Sequence, residues 1–116
     1  MENLTAERIY INAEDYWEDV VELAFVLPGD TFISIARIPY ENQIYAEFGD
    51  QTNFCYAERA VYNTDGDMIS FDFDGFKSSG TLRRSFTIRT DRITDMPSNF
   101  NQALSGLFKG LPPPVN

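Results

Sequence analysis

VVELAFVLPGDTFISIARI, residues 20–38, is the stretch of this sequence that decides its fold. Two runs rich in β-branched and aromatic residues flank a Pro-Gly-Asp turn at residues 28–30, a pattern typical of a β-hairpin. A helix over Glu14–Ala24 is the alternative, because its apolar residues would share one face. The β-branched residues favour a strand from about Val20. Whether helix or strand precedes Val20 stays open.

Outward from this hairpin, alternation of apolar and polar residues predicts further strands separated by turn residues. We expect these strands at Arg8–Asn12, Gln43–Phe48, Phe54–Tyr62, Met68–Asp74 and Thr81–Arg89. Gly49-Asp50 and Asp65-Gly66 supply turns between them, because glycine tolerates the positive φ angles of tight hairpins. Gly75–Gly80 is predicted to be a loop.

The C-terminal part of the chain predicts one helix. Pro97-Ser98-Asn99 is typical of a helix start, and Gly110 of a helix end. Between them, apolar residues recur at helical spacing: Phe100, Ala103, Leu104, Leu107 and Phe108. Proline cannot continue a helix, so we expect residues 111–116 to form an extended Pro-rich tail.

These elements predict a single α+β domain over residues 1–110. We expect an antiparallel β-sheet of about five to seven strands, of unknown order, with the C-terminal helix packed on one face. The length of 116 residues, with ten Phe and six Tyr, suits one packed core.

Histidine is absent from the sequence. This absence removes His-dependent nucleophilic and acid/base catalysis and nearly every catalytic zinc arrangement. Cys55 is the only cysteine, would lack an activating base, and is interpreted as a small buried hydrophobe. We expect that the protein is not an enzyme and holds no cofactor and no metal.

Paired carboxylates could still serve a glycosidase-like site. The available candidates on strands are Glu47, Glu58, Asp72 and Asp74. The favoured interpretation is structural, because Asp72 and Asp74 would share a solvent-facing sheet surface with Arg83 and Arg89 and form cross-strand ion pairs. Arg84 falls on the apolar face of its strand, where we expect it at the sheet margin or paired with a partly buried acid.

The formal charge of −9 is unevenly placed along the chain. Residues 1–58 contain twelve acidic residues against Arg8 and Arg37, whereas residues 59–116 contain six acidic and seven basic residues. Such a field repels nucleic acid and anionic membranes and attracts cationic protein surfaces. Acidic surfaces also serve solubility alone.

The sequence contains no apolar run of the roughly 18 residues that a membrane span requires, and its first residues lack the pattern of a signal peptide. We therefore expect a cytoplasmic protein.

Aromatic residues on polar strand faces are the strongest indication of a binding surface, since Tyr and Trp beside carboxylates are typical of protein interfaces. Tyr45 and Glu47 share one face of their strand. The alternative for any such ring is packing under the helix.

The segment IYAEFGDQTNFCY, residues 44–56, resembles the immunity protein 10 family, small bacterial proteins encoded beside polymorphic toxins. The resemblance extends loosely from Val20 to Phe108. It implies a partner protein that is a toxin. Five residues match the motif and are our candidate partner-binding residues: Tyr45, Glu47, Asp50, Gln51 and Tyr56.

The leading hypothesis is an immunity protein that binds and neutralises a cognate toxin, a protein with a basic surface, through an acidic surface that contains tyrosines. The alternative is an acidic phage or accessory inhibitor that mimics DNA and binds a nucleic-acid-handling protein. An enzyme that uses paired carboxylates ranks third.

Overall fold

A computed structural model describes residues 2–13, 21–38, 42–77 and 80–115. Within these residues the chain forms one sheet of eight mostly antiparallel strands and one C-terminal helix, which confirms the α+β class. The strands are β1 (Glu2–Thr5), β2 (Arg8–Ala13), β3 (Val21–Leu27), β4 (Thr31–Ile38), β5 (Gln43–Phe48), β6 (Asp50–Asp65), β7 (Met68–Lys77) and β8 (Gly80–Arg89), and the helix is α1 (Phe100–Phe108). The predicted count of five to seven strands is wrong.

The predicted hairpin forms from β3 and β4, which pair antiparallel from Leu27 opposite Thr31 to Glu22 opposite Ala36. Gly29 and Asp30 adopt the positive φ angles of 82° and 59° that the tight turn requires. The alternative helix over Glu14–Ala24 is wrong for residues 21–24, which belong to β3, and its remaining residues lie outside the described part of the chain.

The strand that sequence reasoning missed is β1, and it closes the sheet. The strand order is β1-β8-β7-β6-β5-β4-β3-β2, so the two outermost strands are consecutive in the chain. Between them, the Ala6 amide donates to the Arg89 carbonyl of β8 (2.9 Å), and the Glu7 amide donates to the Val26 carbonyl of β3 (2.8 Å). The sheet therefore curls until its two edges meet at Ala6 and Glu7.

Sheet closure also explains why β1 and β8 are parallel. Strands β1 and β2 run in the same direction, and each strand from β3 to β8 runs opposite to the one before it. After these six reversals β8 runs in the same direction as β1. The pairing matches Glu2 with Phe86 and Thr5 with Arg89. The sequence of β1, Glu-Asn-Leu-Thr, has no apolar alternation to reveal it.

The curled sheet encloses an aromatic core. Phe25 on β3 lies 5.9 Å from Phe71 on β7, and Phe48 on β5 lies 5.8 Å from Phe86 on β8, between ring centroids. Strands so far apart in the sheet contact each other only because the sheet folds round. Phe73 is fully buried beside them. Edge-to-face and offset pairs of this kind stabilise a core beyond the apolar area that they bury.

The helix covers the inward face of the sheet, as predicted. Its buried residues are Phe100, Ala103, Leu104, Leu107 and Phe108, the five that the helical spacing indicated. Phe100 meets Phe25, and Phe108 meets Phe71. At the C-terminal end of the helix, Arg37 on β4 donates from Nη1 to the Leu107 carbonyl (2.9 Å). No helix in the described part of the chain is long and apolar enough to cross a membrane.

A bulge in β6 sets where the helix and the tail lie. The register shifts between Ala57 and Arg59, so the buried positions change from Cys55 and Ala57 to Ala60. The pairing of β6 with β5 ends at Ala57. Beyond this point the Ala60 amide donates to the carbonyl of Pro112 in the tail instead (3.0 Å). Side chains hold the tail further along, since Arg59 and Arg83 donate to the carbonyls of Pro113 and Val115.

Gly75 on β7 pairs with Ala57 at the bulge of β6, where the backbones of the two strands lie close together. The predicted loop over Gly75–Gly80 is wrong for residues 75–77, which continue β7, and for Gly80, which begins β8; residues 78 and 79 lie outside the described residues. A Cβ added to Gly75 would overlap the Tyr56 carbonyl oxygen and lie 2.8 Å from the Ala57 Cα. Only glycine allows the strands to approach this closely at the bulge.

Substitution of this glycine tests the packing at the bulge. We expect Gly75→Ala to lower the free energy of unfolding by about 2–3 kcal/mol, because main-chain atoms must move apart. Gly106→Ala is the matched control: it is an exposed helical position with nothing within 4 Å of the added Cβ. There we expect a gain of about 1 kcal/mol from helix propensity. Urea unfolding followed by circular dichroism measures both; equal stabilities of the two variants would contradict this account.

Candidate protein-binding face

Three of the five predicted site residues meet on the outer surface of β5 and β6. Tyr45 lies directly opposite Tyr56, and Glu47 lies opposite Phe54. Their strand neighbours Ile44, Ala46 and Phe48 on β5 are buried, so alternation turns these four side chains away from the core. We call Tyr45, Glu47, Phe54 and Tyr56 the tyrosine face.

The three rings of the tyrosine face form a compact triangle. The centroid distances are 5.1 Å between Tyr45 and Tyr56, 5.9 Å between Tyr45 and Phe54, and 5.8 Å between Phe54 and Tyr56. All four side chains of the face are half-buried. The rings are therefore fixed by one another and by the sheet, and each still presents surface to solvent.

The Tyr45 hydroxyl donates a short hydrogen bond of 2.6 Å to Glu47 Oε1, two residues along the same strand. This bond, together with partial burial and electrostatic interactions with Glu47 and Tyr56, raises the pKa of Tyr45 from 10.0 to about 12. The bond fixes the orientation of both side chains, since a hydrogen bond to a carboxylate is among the stronger ones.

The surroundings of the tyrosine face are acidic. Its described cross-strand neighbours on β4 are Ser34 and Ala36, and Glu22 of β3 follows in the same row. Glu58 lies along β6 and accepts a hydrogen bond from Gln43. None of the described residues paired directly with the four side chains is basic.

The other two predicted residues, Asp50 and Gln51, begin β6, and their side chains lie outside the part that the structure describes. Two other aromatic residues of the sequence, Trp17 and Tyr40, are also outside the described residues. Phe54 is the member that sequence reasoning missed. The sequence did contain the pattern that identifies it, because Phe54 and Tyr56 are two residues apart on one strand and must share a face.

One of the candidate catalytic carboxylates, Asp72, is engaged in a cross-strand ion pair. Asp72 on β7 accepts both Arg83 hydrogen bonds (2.8 Å each) and one from the Ser85 hydroxyl (2.8 Å). The Arg83 hydrogen bond is the main cause that lowers the pKa of Asp72. This confirms the predicted cross-strand pairing of Asp72 with Arg83. The predicted role of Arg89 is wrong: in the described structure its ion pair is with Asp91, beyond the end of β8 (3.2 Å).

Arg84 is placed on the inner side of β8, as its position in the alternation required. Its guanidinium lies 3.8 Å from the centroid of the Phe48 ring, and Nη2 contacts Glu2 Oε1 at 2.9 Å. The acid is exposed, with 53% of its side chain accessible, so the expected partly buried acid is wrong. The Nε atom is buried and has no hydrogen-bond partner among the described residues.

In the described residues, no group of three or more Cys, Asp or Glu side chains is placed to hold a metal ion. No protein-family model, no curated protein and no solved structure matches this chain. The resemblance to the immunity protein 10 family therefore stays a prediction.

The hydrogen bond between Tyr45 and Glu47 predicts that the stability of the protein depends on pH. Because the folded pKa of Tyr45 is raised, its contribution to stability is fully present below pH 10 and is lost as the pH rises from 10 towards 12. In Glu47→Gln we expect the Tyr45 titration midpoint to fall towards 10, since the charged acceptor is gone. NMR of the Tyr45 ring across the pH range measures both midpoints; an unchanged midpoint would show that Glu47 does not control this phenol.

Proposed function

We propose that this protein is an immunity protein that binds and neutralises a cognate bacterial toxin, and that the tyrosine face is its contact surface. One observation carries the proposal. Three aromatic rings and one carboxylate lie together on the outside of a sheet whose inside is already filled by phenylalanines. The core does not need these rings. Aromatic clusters on a surface are typical of the anchors that dominate binding energy at protein interfaces.

The rigidity of the tyrosine face supports this proposal. Its residues belong to two paired strands, and Glu47 holds the Tyr45 hydroxyl in place. A binding surface that is ordered before the partner arrives loses less conformational entropy on association. Tyrosine serves this purpose well, because it offers a large contact area with few rotatable bonds.

The charge of the protein supports a basic partner. The chain carries a formal charge of −9, and the tyrosine face lies among Glu22, Glu47 and Glu58. A negative surface attracts a basic protein over a distance of about one Debye length, roughly 8 Å at physiological salt. The acids would speed association, and the aromatic anchors would slow dissociation.

Coexpression with the toxin encoded beside it tests the proposed function. We expect the wild-type chain to restore growth and to form a complex with the toxin. The double variant Tyr45→Ala, Tyr56→Ala should weaken that complex by about 30-fold or more, the cost of losing interface anchors of about 2 kcal/mol or more. Tyr10→Ala is the matched control, because Tyr10 is 54% exposed on β2, outside the tyrosine face.

Urea unfolding of each variant separates loss of binding from loss of folding. Failure of the wild-type chain to restore growth and to bind the toxin would remove the proposal. Equal losses in the double variant and in Tyr10→Ala would place the interface elsewhere. Binding to a DNA-handling protein that DNA competes away would favour the DNA-mimic alternative instead.

A further inference from the structure

We propose that β1 is a salt-sensitive latch on the closed sheet, held at its far end by the ion pair of Glu2 with Arg84, and that its release turns β8 into an open sheet edge. The inference goes beyond the proposed function and does not depend on it. It concerns residues 2–5, which pair with β8 and with no other described strand.

The two ends of this segment are held differently. Ala6, which follows β1, is fully buried, and its amide donates to the Arg89 carbonyl at 2.9 Å. Glu2 and Asn3 are exposed, and Leu4, the one apolar residue of β1, is only partly buried against the core. Separation of β1 from β8 about Ala6 therefore exposes little apolar area, which is the property of a segment that opens locally.

Arg84 anchors the exposed end of β1. Its Nη2 lies 2.9 Å from Glu2 Oε1, and its guanidinium lies 3.8 Å from the centroid of the Phe48 ring on β5. The Arg84 side chain is 22% exposed, so protein surrounds most of it, and the cation–π contact holds the guanidinium where it meets Glu2. One side chain thus connects β1, β8 and β5.

The anchor responds to ionic strength. The Glu2 side chain is 53% exposed, and dissolved ions screen an ion pair in such a position. The contact of Arg84 with the Phe48 ring does not involve β1, so it remains when Glu2 leaves. We therefore expect the open fraction of β1 to rise with the salt concentration.

Release of β1 changes the state of β8. In the closed form β8 lies between β7 and β1, and β1 pairs with it from Phe86 to Arg89. Without β1, the main-chain groups on that side of β8 lose their partners, and an unpaired edge is a template for pairing with another chain. The ion pair of Glu2 with Arg84 thus controls whether the sheet has an exposed edge at β8.

Amide hydrogen exchange of the intact protein, followed by NMR, measures this opening. The Leu4 amide faces β8, because it lies two residues before the Ala6 amide and alternate residues of a strand point to the same neighbour. We expect Leu4 to exchange faster than Ala6 and with little dependence on urea. The Phe71 amide on β7, which has a strand on each side, should exchange through global unfolding with a strong dependence on urea.

A variant and its control show whether the ion pair holds β1 closed. Glu2→Gln should raise the Leu4 exchange rate about two- to five-fold at low salt. An increase from about 20 mM to about 500 mM sodium chloride should raise it similarly in the wild type and have little further effect in Glu2→Gln. Asp91→Asn, which removes the ion pair of Arg89 beyond the end of β8, should leave the Leu4 rate unchanged, because local opening of β1 does not break that pair.

Two results would overturn the inference. One is a Leu4 amide that exchanges as slowly as Phe71 with the same urea dependence, since β1 would then open only when the whole protein unfolds. The other is a Leu4 rate that neither Glu2→Gln nor salt changes, since the ion pair would then not hold β1. Neither result bears on the toxin experiment, which tests a different surface.

Discussion

The structure depends on the pairing of one N-terminal segment with both edges of the sheet. The Ala6 amide bonds to β8 and the next amide, that of Glu7, bonds to β3, so adjacent residues hold the two strands that lie next to the ends of the strand order. An open sheet would leave unpaired main-chain groups at these edges and could not surround its own apolar face. Closure satisfies both requirements at once, and the remaining elements adjust to it.

The bulge in β6 is a second constraint on the sheet. Gly75 allows β7 to approach β6 there, and the change of register turns Ala60 inward after Cys55 and Ala57. Because β5 pairs with β6 only as far as Ala57, the sheet opens beyond this point. The helix and the tail occupy the opening, where Phe108 packs on Tyr62 and the Pro112 carbonyl accepts the Ala60 amide. The bulge thus links the sheet, the helix and the chain end.

The distribution of aromatic residues separates stability from recognition. Phenylalanines fill the inside of the closed sheet, where their rings stack on one another and on the helix. Tyrosines with one phenylalanine occupy the outside of β5 and β6, where hydroxyl groups can remain hydrated or bond to Glu47. A phenol is suited to this position because one end of the side chain is apolar and the other is polar. The proposed toxin contact uses this outer set.

Local sequence patterns determined most of the secondary structure and part of the candidate site. Alternation located β2 to β8 to within a few residues at most ends, and helical spacing identified the five buried residues of α1, because both patterns depend only on which side of an element faces the core. The same alternation predicted that Tyr45 and Glu47 lie on one face of β5. What it could not determine is how strands pair, since register and strand order depend on hydrogen bonds between residues far apart in the chain.

Tertiary structure alone therefore decided the features that give this protein its shape and its surface. Polar β1 forms a strand only because β8 offers an edge for it to pair with. The strand β6 extends to residues 50–65 because β5 and β7 pair with it over different parts of its length. Phe54 joins the tyrosine face because register places it opposite Glu47, and Arg83 rather than Arg89 binds Asp72 because β7 and β8 bring those side chains together. The sequence by itself determined which residues face inward; the closed sheet decided which outward residues meet, because only pairing between distant segments sets those distances.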